Sequence, residues 1–150
     1  MAETNIKDLV DRYIAVSQSV EKKAGALVKG QIGSDLTNDQ HFTLRYMNQV
    51  GTCTSSELAE VFDVQKSAIT AIIQRLWEKG LIERTRDEKD RRVVYLTLTE
   101  KGKDLYSQCE KRIHNLVEGL ITKFEHHEIN QFINTFEKLN QILINYKLEE

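Results

Sequence analysis

Proline is absent from the 150-residue sequence, so no ring forces a helix to kink and no proline-rich linker divides the chain. Cysteine is scarce. Cys53 and Cys109 are too few for a disulfide framework and do not form a CxxC pair. No apolar run approaches the roughly 18 residues of a membrane-spanning helix, so no membrane partner is expected. Met1 to Asp8 carry no apolar stretch of the kind a secretory signal needs, and a cytoplasmic location follows by default. Internal repeats and low-complexity tracts are missing. So are a glycine-rich phosphate loop, a Ser/His/Asp arrangement and a paired metal motif, which leaves an enzyme little to be built from.

What is present is an uneven distribution of charge. The net charge of −2 suits a nucleic-acid binder poorly until it is divided along the chain. Between Gln65 and Arg92 eight cations face five anions, a net of +3, and the remainder therefore carries −5. A basic segment on an acidic body confines the electrostatic footprint to one face.

Hydrophobic periodicity orders the elements. Ile6, Leu9, Val10, Tyr13, Ile14 and Val20 recur at helical spacing, and this first helix is expected to run through Val28 and break at Gly30, Gly33 and Ser34. Thr37 opens a second helix carrying Phe42, Leu44, Tyr46, Met47 and Val50, which stops at Gly51. Thr54-Ser55-Ser56-Glu57 has the capping-box pattern and starts a short helix with Leu58, Ala59 and Phe62 inward. After a turn at Asp63-Val64, Ile69, Ile72, Ile73 and Leu76 form the stripe of the next helix, which Gly80 ends. The period then changes to 2. Leu81 to Arg84 and Val93 to Leu98 read as two strands around a charged tip, Arg86 to Arg92. Thr99 caps a long helix with Leu105, Cys109, Ile113, Leu116, Val117, Leu120, Ile121 and Phe124 on one stripe. A last helix follows with Ile129, Phe132, Ile133, Phe136, Leu139, Leu143 and Tyr146.

Two helices joined by a tight turn and followed by a hairpin make a winged helix-turn-helix, in a fold that is mainly α with a small β-hairpin wing. In such a unit the second helix buries one stripe and lays the other in the major groove of double-stranded DNA. Removing the inner stripe leaves Lys66, Ser67, Thr70, Ala71 and Gln74 outside, with no carboxylate before Glu78. Hydroxyls contact bases or phosphates, glutamine pairs with adenine, and Arg75 adds a cation nearby. A merely solvated helix face is the alternative, and it is more often rich in glutamate and lysine. The tip holds Arg86, Asp90, Arg91 and Arg92, and a guanidinium at the end of a ribbon can enter the minor groove. Asp90 can hold one neighbouring arginine extended; which arginine enters is open, and an exposed charged turn is the plain alternative.

Leu58-Ala59, Ser67-Ala68-Ile69-Thr70, Leu76 to Ile82, Asp90-Arg91-Arg92 and Leu98 to Gly102, with Leu36-Thr37 opening the second helix, resemble the MarR family of bacterial regulators. The resemblance covers nearly the whole chain. It implies a homodimer with first and last helices interleaved, a repressor bound to a pseudo-palindromic operator, bases faced by Ser67, Thr70 and Gln74, and a minor-groove wing at Asp90-Arg91-Arg92. The chain then divides into a dimerisation helix (1–36), a winged DNA-binding domain (37–99) and C-terminal dimerisation helices (100–150). Gln65 departs from the pattern, standing where a better helix cap is usual.

The resemblance also implies an effector in many members. No cofactor is expected, but a small aromatic or lipophilic molecule could bind beside the dimer helices, with Tyr13, His41, Tyr46 and Tyr106 as candidates to line its pocket. Core aromatics at helical spacing are the plainer reading. For a thiol sensor, Tyr13 stands in the first helix where peroxide-sensing members carry cysteine. Cys109 lies on an apolar stripe as a core thiol, whereas Cys53 sits at a helix N-terminus that would favour its thiolate. His41, His114, His126 and His127 show no metal-ligand spacing. A winged helix used for protein–protein contact is the reading from a different class, and it requires an apolar patch on the recognition face.

Overall fold

The computed structural model describes residues 5–33 and 35–146. The elements run α1 (Ile6–Ile32), α2 (Asn38–Val50), α3 (Ser55–Val61), α4 (Lys66–Glu78), β1 (Ile82–Arg86), β2 (Val94–Leu98), α5 (Glu100–Ile121) and α6 (His126–Asn145). Fold class and element order match the expectation, a mainly helical chain with one antiparallel hairpin. Met1 to Thr4 and Ser34, the latter expected in the first break, lie outside the described residues.

Helix ends follow local chemistry. Asn5 caps α1 through its side chain, and Gly33, at φ 76°, ends it. Gly30 does not break α1 as expected; one glycine costs a helix only about 1 kcal/mol, too little to stop a 27-residue run. Thr37 caps α2 in a full capping box with Gln40, a signal the sequence reading had not used. At Thr54 only half of the expected box forms. Its hydroxyl accepts from the Glu57 amide at 3.2 Å, without the reciprocal bond from the Thr54 amide to the glutamate carboxylate.

Two units make up the chain, residues 1–113 and 114–150. In the first, the fully buried side chains are Ile32, Thr43, Leu44, Met47, Cys53, Leu58, Ile69, Leu76, Leu81, Leu96 and Cys109. They join α2, α3, α4 and the hairpin around one core, to which α1 adds Ile32 at its end. Strand β1 pairs antiparallel with β2, Ile82 opposite Leu98 and Arg86 opposite Val94. Cys53 adds a third rung through two backbone bonds with Leu96, of 3.2 and 2.7 Å. This extra rung and the packing of α4 against β1 steady a hairpin that would not persist alone. On α2 the inner stripe is Gln40, Thr43, Leu44 and Met47, and Phe42 and Val50 face outward instead.

Thr99 joins three elements at the base of the wing. Its hydroxyl donates to the Gly80 carbonyl at 2.7 Å and accepts from the Gly102 amide at 3.0 Å, while its own amide donates to the Leu81 carbonyl at 3.1 Å. Gly102 lies so close to Leu81 that a Cβ would collide with the carbonyl oxygen. In the second unit α6 buries none of its residues; Phe132, Phe136, Ile142 and Leu143 are all exposed, and the two rings stack at 5.3 Å. On α1, Ile6 to Val20 likewise present apolar side chains outward.

Candidate nucleic-acid interface

The helix-turn-helix is set by the turn between α3 and α4. Asp63 adopts φ 50°, a left-handed conformation that aspartate tolerates better than branched residues. The Val64 amide then donates back to Ala59 at 3.1 Å, closing the turn. Gln65 opens α4 without a side-chain cap, in line with its departure from the usual cap residue. Ile69, Ile73 and Leu76 point inward, with Ile72 half-buried.

Opposite that stripe Lys66, Ser67, Thr70 and Arg75 are exposed, and Gln74 is half-buried. The Thr70 hydroxyl donates to the Lys66 carbonyl at 2.8 Å, which leaves its oxygen lone pairs and methyl group outward. Gln74 is held at both ends of its amide: Oε1 accepts from Arg84 at 2.8 Å and Nε2 donates to Glu78 at 3.1 Å. Trp77, off the main stripe and 47% exposed, lies beneath Arg84, whose Cζ stands 5.1 Å from the ring centroid. Through this contact Trp77 meets β1 of the wing.

The wing tip is built on two aspartates. Asp87 accepts from the Lys89 amide at 2.8 Å, the Asp90 amide at 3.4 Å and the Tyr95 hydroxyl at 3.0 Å; the amide of Lys89 and the Tyr95 hydroxyl hold its carboxyl below the usual range. Asp90 grips Arg92 in a two-point pair, Nε to Oδ1 at 3.0 Å and Nη2 to Oδ2 at 3.2 Å, and this pairing lowers the Asp90 pKa. Arg86 donates to the Arg91 carbonyl at 2.8 Å, bracing the tip from inside. Among the described residues Arg91 makes no side-chain hydrogen bond or ion pair. Asp90 therefore holds Arg92, and Arg91 stands apart.

The four candidate effector residues do not gather as one group. His41 and Tyr106 meet, their rings 5.8 Å apart. Tyr46 packs edge-on against Phe62 at 6.2 Å, and Tyr13 is 55% exposed on α1. Beside His41 stand two residues the sequence reading did not single out, Arg45 and Glu110, 65 positions apart and joined by a 2.7 Å ion pair. His41 is 3% exposed, and its Nε2 lies 3.7 Å from Glu110 Oε2, beyond hydrogen-bond reach, with neither atom otherwise partnered. Burial pushes the His41 pKa down, Glu110 opposes that shift and Arg45 adds to it.

Cys53 requires a correction. It stands just before the Thr54 cap of α3, as expected, but it lies within the rung to β2 and is buried. Desolvation, with a smaller push from Glu57, drives its thiol up to about 11, the reverse of the expected thiolate stabilisation. Cys109 is also buried and its pKa is raised by desolvation, as suits a core thiol.

A family model described as MarR family matches residues 36–94, from the start of α2 into β2. The HTH-type transcriptional repressor MdtR of Bacillus subtilis (strain 168) is 43% identical over 92 residues, which span 61% of this chain and 59% of that protein. A solved MepR like protein, complexed with pseudoligands, is 30% identical with a TM-score of 0.63, over 92% of this chain and 98% of its own. FabT of Streptococcus pneumoniae, solved in complex with DNA, shares the fold at 24% identity and a TM-score of 0.77, over 95% of this chain and 100% of that one. On its helix-turn-helix, its wing and these relatives, the chain belongs to the MarR family and is a DNA-binding transcription regulator, not an enzyme.

Proposed function

We propose that the protein is a cytoplasmic homodimeric repressor that binds a pseudo-palindromic operator, with α4 in the major groove and the hairpin in the minor groove. The observation that carries this reading is the pairing of an outer face on α4 that holds no carboxylate before Glu78 with a wing whose Asp90 holds Arg92 outward. Lys66, Ser67 and Thr70 meet base edges and phosphates; Gln74 and Arg75 belong to the same docking face. Arg92 enters the minor groove, Arg86 and Asp90 support it, and Arg91 supplies a second cation. DNA seated on FabT, a protein of the same fold, is consistent with this docking.

The dimer assignment is supported by exposed apolar side chains on α1 and on α6. Tyr13, Ile14 and Val20 on α1, and Phe132, Phe136 and Leu143 on α6, are each roughly half exposed or more. Continuous apolar exposure on two helices marks a surface that another molecule covers. Residues 1–36 and 100–150 then serve pairing and residues 37–99 serve DNA. Two half-sites about 10 base pairs apart roughly double the binding free energy of one. Release by a small aromatic or lipophilic effector is part of the proposal. His41 and Tyr106 are its best-supported contacts, and Tyr13 and Tyr46 are secondary. The buried, high-pKa thiols argue against a thiol-responsive variant.

Fluorescence anisotropy tests the reading, with a palindrome-bearing duplex from the protein's own upstream region titrated beside a scrambled duplex at about 150 mM salt. The expected result is a preference of about a thousandfold with two protomers per site. Equal weak binding to every duplex, including those selected from a randomised pool, overturns it.

A further inference from the structure

We propose that Arg84 is the DNA-contacting side chain at the C-terminal end of α4, gripping a backbone phosphate, and that Trp77 and Gln74 are positioning residues that hold it there. The inference rests on the docking of α4 and the wing described above, and it assigns Gln74 a different task from base reading.

Glutamine reads adenine by offering one donor and one acceptor together. Each end of the Gln74 amide already holds a protein partner, so reading an adenine edge would have to share the amide with both contacts. Its orientation is chemically determined, because guanidinium can only donate and an ionised carboxylate can only accept. The oxygen must face Arg84, at 2.8 Å, and the nitrogen must face Glu78, at 3.1 Å. The amide thus stands as a spacer between a cation and an anion that would otherwise pair. Arg84 has no ion pair with a carboxylate among the described residues, so its charge stays available.

Trp77 accounts for the rest of the geometry. A large aromatic half exposed on a surface helix is costly unless something uses its face. Here Arg84 does, with its Cζ 5.1 Å from the ring centroid, within the range of a cation–π contact. The ring fixes the plane of a guanidinium that arises from a different element, and one hydrogen bond to Gln74 fixes its rotation. Four of the five N–H donors of Arg84 remain for a ligand. A planar fork with preset orientation suits a phosphate better than a flexible ammonium does.

Position selects a phosphate over a base. Strand alternation puts Arg84 on the face of Ile82, toward α4, midway along β1 and opposite Leu96. With α4 in the major groove and the tip in the adjacent minor groove, the junction of helix and hairpin faces the sugar-phosphate strand that separates the two grooves. Contacts there set register and orientation rather than sequence.

The test uses the full-length protein, a duplex selected by the wild type from a randomised pool, and a scrambled duplex, each titrated over a range of salt. Arg84→Ala should weaken both duplexes by a similar factor and reduce the salt slope by about 1 per protomer, or about 2 per dimer. Arg84→Lys should keep most of the slope while losing affinity. Trp77→Leu should weaken binding and Trp77→Phe should restore much of the loss, which a space-filling role alone would not demand. Gln74→Ala should lower affinity while leaving single-base preferences of the selected site unchanged. Trp77 is the single tryptophan of the chain, so its emission should shift in free Arg84→Ala and respond to DNA in the wild type. An unchanged salt slope in Arg84→Ala, or relaxed base preference in Gln74→Ala, overturns the proposal. Arg92→Ala in the same assay separates the two layers. If it and Arg84→Ala both bind like the wild type, the docking itself is wrong; if only Arg84→Ala does, the phosphate grip is.

Discussion

Gly102→Ala is a small change with a sign that the structure decides. Inside a helix alanine is ordinarily favoured over glycine by about 1 kcal/mol. At Gly102 the added Cβ would overlap the Leu81 carbonyl oxygen and stand 3.0 Å from its carbon, both backbone atoms that cannot swing aside. Relief requires the first turn of α5 to back away from the start of β1. That movement breaks the 3.1 Å bond from the Thr99 amide to the Leu81 carbonyl and strains the 2.7 Å bond from the Thr99 hydroxyl to Gly80. Two hydrogen bonds at about 1 kcal/mol each, plus about 1 kcal/mol for leaving a buried carbonyl unpaired, give a loss of about 3 kcal/mol. The helix preference returns about 1 kcal/mol, so a net loss of about 2 kcal/mol is expected. Urea denaturation followed by circular dichroism measures it, at one fixed protein concentration because association adds to stability. Lys103→Ala, on the exposed side of the same helix, is the control and should fall within about 0.5 kcal/mol of wild type. Wild-type or greater stability in Gly102→Ala would refute the close approach of α5 to Leu81.

In the wing, Arg92→Ala should weaken operator binding and flatten its salt dependence by about 1 per protomer, and Asp90→Ala should weaken operator binding through loss of the Arg92 grip. Unaltered anisotropy titrations for both would exclude a DNA-reading wing. His41 has a folded pKa below its ordinary 6.5 because burial disfavours the charged ring. The unfolded chain therefore binds its proton first, so stability should hold above pH 6.5 and decline as pH falls below it. Thermal melts from pH 8 to 5 should show this decline reduced in His41→Gln, and equal profiles would remove His41 as its source. With the Cys53 thiol pushed up to about 11, native protein at neutral pH should react with a thiol reagent far more slowly than urea-unfolded protein. Rapid native labelling, or loss of DNA binding in mild peroxide, would restore a redox role.

Local chemistry made most elements legible. Threonine caps at positions 37, 54 and 99 and glycines at 51 and 80 mark boundaries that the structure keeps to within a residue or two. The inner stripe of α4 was equally clear, because three of its four proposed positions are buried and the fourth is half-buried. What escaped were pairings between distant positions. Glu110 meets Arg45 and approaches His41 only because α2 and α5 are brought together, and no periodicity in either helix announces that. Gln74 was legible as an outward residue, but not as one whose amide is already engaged, since Arg84 comes from another element. Cys53 failed for a related reason. A position before a helix reads as exposed and polar, and its burial follows from the rung to Leu96 across the fold.

In the proposed docking stability and recognition share α4, and this places a limit on how the protein can vary. Ile69, Ile73 and Leu76 anchor the helix in the core while Lys66, Ser67 and Thr70 leave it on the other side. A substitution on the inner stripe must move the outer one, since a packed interior transmits displacement rather than absorbing it. The outer stripe carries no such burden and can change its chemistry at little cost to folding. The net positive segment spans α4 and the hairpin, so the acidic remainder of the chain does not compete for the surface proposed to face phosphate. Under the proposed docking, specificity can therefore drift at Ser67 and Thr70 while the core stripe, the Thr99 junction and the Asp90–Arg92 grip hold the helix and wing at the spacing that two grooves of a duplex require.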